Sequence, residues 1–114
     1  MYNKLFLIAV AGLLTMVSSL TWAGKQLDVH DGSAITITSP QDGGTVGNSF
    51  DLVYSFRKGL MADHVHVYLN GKYQKGFKGR FNNVPAGQHT ITVKVATHKH
   101  DMVTVSDSIK VIVR

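Results

Sequence analysis

Hydrophobic and polar residues alternate along most of the chain after its first third. Alternation with a period of two places apolar side chains on one face of a strand and polar side chains on the other. The alternating runs are short, and turn-forming Gly, Pro, Asn and Asp residues separate them. They cover residues 35–38, 50–56, 64–69, 73–77, 90–95 and 105–113. No helical periodicity is sustained in this region, so the pattern predicts strands.

The strongest turn signal is Asn70-Gly71, because both residues accept a positive φ and favour a two-residue hairpin. We expect residues 64–69 and 73–77 to be the strands of that hairpin. In total the pattern predicts about seven short strands at a spacing of roughly ten residues. This is typical of an all-β fold in which two antiparallel sheets form a sandwich, apolar inside and polar outside. Periodicity alone leaves a small barrel as the alternative.

The start of the chain has a different pattern, which is typical of a secretory signal peptide. Lys4 gives a positive start, residues 5–17 form an uncharged apolar run, and a polar stretch ends in the small residue Ala23. The run is shorter than the roughly 20 apolar residues of a membrane span, and an uncleaved anchor is the alternative. We therefore expect a periplasmic or secreted protein with no transmembrane segment after cleavage. Its predicted parts are a signal peptide over 1–23, a flexible segment over 24–32 and one sandwich domain over 33–114.

The composition excludes several classes of site. The chain has 114 residues, with 12 Lys and Arg against seven acidic residues, and it contains no Cys and no Glu. The absence of Cys excludes a disulfide framework, a thiolate metal site and a cysteine nucleophile. The absence of Glu excludes a glutamate pair for glycoside hydrolysis. Neither a phosphate-binding glycine loop nor a nucleophile elbow is present, so we do not expect an enzyme.

Three stretches of the sequence resemble bacterial immunoglobulin-like domains. Residues 35–46 resemble the opening of such a domain, residues 67–72 its central hairpin, and residues 86–93 its penultimate strand. The resemblance implies an immunoglobulin-like antiparallel β-sandwich. It implies a spacer or binding module and no particular chemistry, because one fold hosts many functions.

Two His-x-His pairs lie where the chain departs from that family's pattern. Residues two apart on a strand point to the same face, so His64 lies beside His66, and His98 lies beside His100 if its strand persists that far. The apolar residues of both strands have the opposite parity, which predicts that all four imidazoles face outward. In the immunoglobulin arrangement the third and sixth strands are antiparallel neighbours. The two pairs are therefore expected to meet at one end of the sandwich.

This convergence predicts a metal site. Imidazole suits zinc and copper, and a thioether adds preference for copper, so we expect copper, with zinc as the alternative. Asp63 and Asp101 are placed to accept hydrogen bonds from the imidazoles. The arrangement is similar in architecture and ligand type to small periplasmic copper-resistance proteins, and it implies copper trafficking or buffering with an envelope protein as partner. The expected ligands are His64, His66, His98, His100, Met61 and Met102.

Other interpretations of the histidines stay open. Histidine is a common polar residue on exposed strand faces, and clustered imidazoles are also suited to sensing pH. His89 lies at the other end of its strand and is predicted to be structural, while His30 falls in the flexible segment. An accessory or binding module that contacts an envelope protein or a glycan without metal is the second class of function. A structural subunit of an envelope assembly is the third.

Basic residues cluster around the central hairpin. They indicate either a strand edge protected by lysines or a surface for an anionic partner. Nucleic acid is not expected, because the predicted signal peptide directs the chain out of the cytosol. The residues are Arg57, Lys58, Lys72, Lys75, Lys78 and Arg80.

Overall fold

The computed structural model describes the backbone of Gln26–Leu27 and all of residues 31–114. The predicted signal peptide and His30 lie outside the described residues. The described part consists of strands, turns and loops, and it contains no helix long and apolar enough to cross a membrane.

Ten strands follow one another in the described part of the chain, and five of them are only two residues long. Short strands are expected where the chain pairs briefly beside a turn. The strands are β1 (Gln26–Leu27), β2 (Ala34–Ser39), β3 (Thr45–Val46), β4 (Phe50–Asp51), β5 (Val53–Arg57), β6 (His64–Leu69), β7 (Lys72–Tyr73), β8 (Arg80–Phe81), β9 (Gly87–Ala96) and β10 (Met102–Val113).

The strands form an all-β sandwich, which confirms the predicted fold class. The main sheet has the order β1-β10-β9-β6-β7, with β3 paired to the far end of β10. β2 and β5 form a second sheet, and β4 pairs with β8. β1 and β3 run parallel to β10, and the other pairs are antiparallel. β2 packs across β9 and β10 and closes the core.

Alternation along β9 and β10 builds this core. Ile91, Val93 and Val95 of β9 are fully buried, as is Val111 of β10. Burying one such side chain contributes about 1.5–3 kcal/mol relative to leaving it in water. Because the core takes these positions, the residues between them face outward, and the outer face of the main sheet is where the site described below lies.

Two predicted runs differ from the observed strands. The run over 50–56 is divided at Leu52, whose N–H donates to the carbonyl of Gly79 (2.9 Å), because β4 pairs with β8 while β5 pairs with β2. The predicted strand over 73–77 is wrong beyond Tyr73. There the chain turns, and the Phe77 N–H donates to the Gln74 carbonyl (3.1 Å).

The central hairpin and its neighbour agree with the sequence prediction. Asn70 and Gly71 have φ of 53° and 82°, and they connect β6 to β7 as the two-residue turn requires. β6 also pairs antiparallel with β9, from His64 opposite Ala96 to Leu69 opposite Ile91. This pairing places the start of β6 beside the end of β9.

Candidate metal centre

Three histidines meet on the outer face of the main sheet, at the end where β6 begins. His64 Nε2 lies 2.9 Å from His66 Nε2, and His100 Nδ1 lies 3.3 Å from His66 Nε2. One ring nitrogen from each residue lies within 4.8 Å of the other two. In the part of the chain that the structure describes, this is the one group of three or more His, Cys, Asp or Glu side chains with metal-binding spacing.

Strand parity positions the first two ligand candidates. His64 and His66 are two residues apart on β6, so both rings stand on the same face, with centroids 4.9 Å apart. The sequence predicted that this face points outward, and it does, but His66 is only 6% exposed. The Tyr73 ring of β7 stacks on the His66 ring at a centroid distance of 4.5 Å, so the outer face is covered locally.

His100 reaches the group through a turn and not through a strand. β9 ends at Ala96, and the His100 N–H donates to the Thr97 carbonyl (2.9 Å). The Thr97 N–H in turn donates to the Asp101 carbonyl (2.9 Å), which closes the hairpin between β9 and β10. His100 therefore has a positive φ of 66°. The expected side-by-side strand pair of His98 and His100 does not form, because the strand ends before it.

The same turn separates His98 from the three-histidine group. His98 is exposed and lines a shallow cavity with Met61, Lys99 and Asp101 at the end of the sandwich. Two backbone groups of Asp101 bond to Thr97. The Asp101 carbonyl accepts from the Thr97 N–H, and the Asp101 N–H donates to the Thr97 hydroxyl (3.2 Å). Of the four predicted histidines, the structure thus brings together His64, His66 and His100.

Met61 is held in a loop just before β6. The buried Asp31 carboxylate accepts the Met61 N–H (3.0 Å), and the Asp31 carbonyl accepts the Leu60 N–H (3.1 Å). Residue 59 must be glycine here, because a Cβ would collide with the Asp31 carbonyl. The Met61 side chain is 43% exposed and faces the His98 cavity.

Met102 lies on the face that carries the histidines. In the strand pairing, Met102 of β10 is opposite Ala96 of β9, and Ala96 is opposite His64 of β6. Its sulfur accepts a hydrogen bond from the Tyr68 hydroxyl (3.9 Å). Met102 is therefore near the group on the same surface, with its sulfur held by a tyrosine.

A carboxylate orients His64. Asp63 Oδ2 accepts a hydrogen bond from His64 Nδ1–H (2.8 Å), and this bond holds the pKa of the Asp63 carboxyl below its ordinary value. With Nδ1 held by Asp63, the His64 ring turns Nε2 toward His66. An acidic partner on the far nitrogen is the usual way in which a metal-ligating histidine is held.

His66 is disposed to stay neutral. Burial lowers its pKa, and the neighbouring His64 and His100 lower it further, because a charge there would be poorly solvated and repelled. A neutral imidazole can offer a lone pair to a metal, whereas an imidazolium cannot. His66 also sits between the other two rings, so its Nε2 is the centre of the group.

Two tyrosines lie beside the three-histidine group and were not among the predicted site residues. Tyr68 shares the parity of His64 and His66 on β6, and Tyr73 stands opposite Tyr68 across the hairpin. Lys94 of β9 places its Nζ 5.1 Å from the centre of the Tyr68 ring. Parity and the Asn70-Gly71 turn carried enough information to place both tyrosines beside His66.

His89 lies at the other end of β9 and is occupied by structural hydrogen bonds. Its Nε2–H donates to the Pro85 carbonyl (2.7 Å), and its Nδ1 accepts from the Asn70 side-chain amide (2.9 Å). This agrees with the structural role expected of it.

The spacing of the three nitrogens suits one ion. An ion about 2.0–2.1 Å from each nitrogen, at angles between 90° and tetrahedral, holds neighbouring ligands about 2.9–3.4 Å apart. The 2.9 Å and 3.3 Å separations at His66 match this range. The third pair, His64 and His100, has ring nitrogens within 4.8 Å of each other, and His100 is exposed.

Comparisons with known proteins bear on the fold. No protein-family model and no curated protein matches the chain. Among solved structures, it is similar to the fibronectin(III)-like modules of Clostridium thermocellum CbhA, with a TM-score of 0.52 and 18% identity over 70% of this chain and 96% of that one. It is also similar to part of the endo-β-1,4-mannanase from Thermotoga petrophila, with a TM-score of 0.57 and 15% identity over 76% of this chain. The match spans 20% of the mannanase. These likenesses support an immunoglobulin-like sandwich and concern the fold alone.

Proposed function

We propose that this chain is a periplasmic or secreted protein that binds a transition-metal ion, copper, for trafficking or buffering. The observation that carries the proposal is the meeting of three imidazole nitrogens at His66. Imidazole is a common ligand of both copper and zinc. Two observations support it further: the Asp63 hydrogen bond orients His64, and the lowered pKa of His66 favours its neutral form.

The nearby methionine favours copper over zinc. The Met102 sulfur lies on the face of the histidines, and a thioether is a soft ligand that suits Cu(I). Three imidazoles with a thioether close by would accommodate both oxidation states of copper. Partial exposure of His64 and exposure of His100 leave one side of the group accessible, which a protein that passes its ion to a partner requires.

Metal content tests this proposal directly. The protein used is residues 24–114, which contain every described strand, without a histidine tag. It is equilibrated with copper or zinc and desalted. Mass spectrometry then gives the number of metal ions per chain. We expect close to one equivalent of copper in the parent and its loss in the His64→Ala/His66→Ala variant. His98→Ala is the matched control and should retain the metal. A parent that retains no metal, or a His98→Ala variant that loses as much as the double variant, would contradict the proposal.

A further inference from the structure

The first half of β6 has a strand neighbour on only one side. β7 pairs with Tyr68 and Leu69 and then ends, whereas β9 pairs with β6 along its full length. An unpaired strand edge presents main-chain N–H and C=O groups that can pair with another chain.

The hydrogen bonds show which groups point to that edge. The Asn70 N–H donates to Thr90 of β9 (2.7 Å), while the Val67 carbonyl accepts from Gln74 on the β7 side (2.8 Å). Main-chain groups alternate between the two sides of an antiparallel strand. Odd-numbered residues of β6 therefore point away from β9, and the N–H and C=O of Val65 face the edge beyond the end of β7.

A cleft runs beside this edge. Its apolar lining comes from Val65 and Val67 of β6, Tyr54 of the second sheet, Tyr73 of β7 and Phe77, and its remaining lining residues are His64, Gln74 and Gly76. Val65, Tyr54 and Phe77 are only half-buried. The cleft thus opens between the two sheets, and it offers pockets for alternate side chains of a strand laid along β6.

The charge beside the cleft favours an acidic occupant. No acidic residue occurs between Asp63 and Asp101 in the sequence. Lys72, Lys75 and Lys78 are exposed on the segment that borders the cleft, and neither of the two ion pairs in the described structure involves them. A second copy of the chain would bring the same lysines together and is disfavoured by their repulsion.

We propose that the free edge of β6 is a docking groove for an extended, acidic segment of a partner protein, which adds as a strand beside β6. Main-chain hydrogen bonds to the N–H and C=O of Val65 hold the segment, apolar side chains enter the cleft, and acidic side chains meet the lysines. His64 also lines the cleft, but its Nε2 lies against His66. Docking goes beyond metal binding and is testable with the metal-free protein in the presence of a chelator.

Synthetic peptides test the groove. The probes are three fluorescent nine-residue peptides in which Asp alternates with Val, Leu or Phe, measured by fluorescence anisotropy with metal-free protein. We expect at least one to bind, and the amide resonance of Val65 to shift most in a ¹⁵N spectrum. N-methylation of the peptide along one edge should weaken binding at least tenfold, and so should replacement of Asp by Lys. Failure of all three probes, or equal binding of the N-methylated peptide, would overturn the proposal.

Charge variants locate the surface. Lys75→Glu/Lys78→Glu should weaken binding of the Asp peptide at least tenfold at low salt. Lys110→Glu/Arg114→Glu makes the same change in net charge at two exposed residues, in β10 and directly after it, two strands from β6. This matched control should leave binding unchanged. An equal loss in both variants would show attraction by net charge alone and would overturn a groove at β6.

Discussion

At the scale of single residues, His100 shows most clearly how the site is made. It is one of three described non-glycine residues with a positive φ, and the other two are asparagines. The left-handed conformation is tolerated best by Gly and Asn. Histidine is therefore not the residue that the turn itself favours, and its ring belongs to the three-histidine group.

The His100→Asn substitution distinguishes the role of His100 as a metal ligand from its role in the turn. Because Asn accepts the left-handed conformation, we expect the free energy of unfolding to stay within about 0.5 kcal/mol of the parent. Copper affinity should fall at least tenfold, measured by competition with a chelator. His98→Asn, in the same turn, should leave the affinity unchanged. Equal affinity of His100→Asn and the parent would exclude His100 as a ligand.

Asp63 acts through His64. Removing its carboxylate in Asp63→Ala frees the His64 ring to rotate and to change its protonated nitrogen. Loss of such a partner costs about 10–100-fold in metal affinity, and we expect a loss in this range. Asp101→Ala is the control, since the Asp101 hydrogen bonds described above involve its backbone. A chelator competition in which both variants match the parent would show that the Asp63 hydrogen bond is unimportant for binding.

At the scale of elements, β6 carries a buried neutral histidine, which makes stability depend on pH. The unfolded chain binds a proton at His66 near the ordinary pKa of 6.5, whereas the folded chain does so only at lower pH. Acid therefore favours the unfolded chain, and the stability present above pH 6.5 is lost as the pH falls toward the lowered pKa of His66.

Urea unfolding of the metal-free protein at several pH values between 7.5 and 5 measures this effect. We expect the free energy of unfolding of the parent to decrease across that interval. His66→Gln lacks the titrating group and should show a shallower decrease. Parallel pH profiles for the two proteins would contradict the assigned shift.

The two sheets are joined by a side chain of β10. Asp107 Oδ2 accepts a hydrogen bond from the N–H of Ile37 in β2 (2.8 Å). Asp107→Ala leaves that N–H without an acceptor, which should lower the free energy of unfolding by about 1–3 kcal/mol in urea denaturation. Asp107→Asn keeps one acceptor oxygen and should cost less. If the two substitutions cost the same, the hydrogen bond between the sheets does not stabilise the fold.

At the scale of the whole molecule, alternation predicted the short strands of a sandwich and left a barrel as the alternative. The immunoglobulin arrangement supplied the pairing of β6 with β9, which the structure has. Parity also placed His64 beside His66. Parity failed at His98, because a period of two does not show where a strand ends. In the structure a turn begins at Thr97, before His98. Parity also missed the burial of His66, which depends on Tyr73 arriving across the hairpin. Turn geometry decides where β9 ends. Parity and the Asn70-Gly71 turn place Tyr73 beside His66, but only the packing of the two rings decides how deeply His66 is buried.

X-ray absorption of the copper-loaded protein tests the central claim most directly, because it counts the imidazoles on the ion. We predict a first shell of nitrogen at about 2.0–2.1 Å, with the multiple scattering of three imidazoles. The His66→Gln protein should lose most of that pattern, and His98→Asn should keep it. A copper spectrum that fits one imidazole or none, or that is unchanged in His66→Gln, would contradict the three-histidine metal centre.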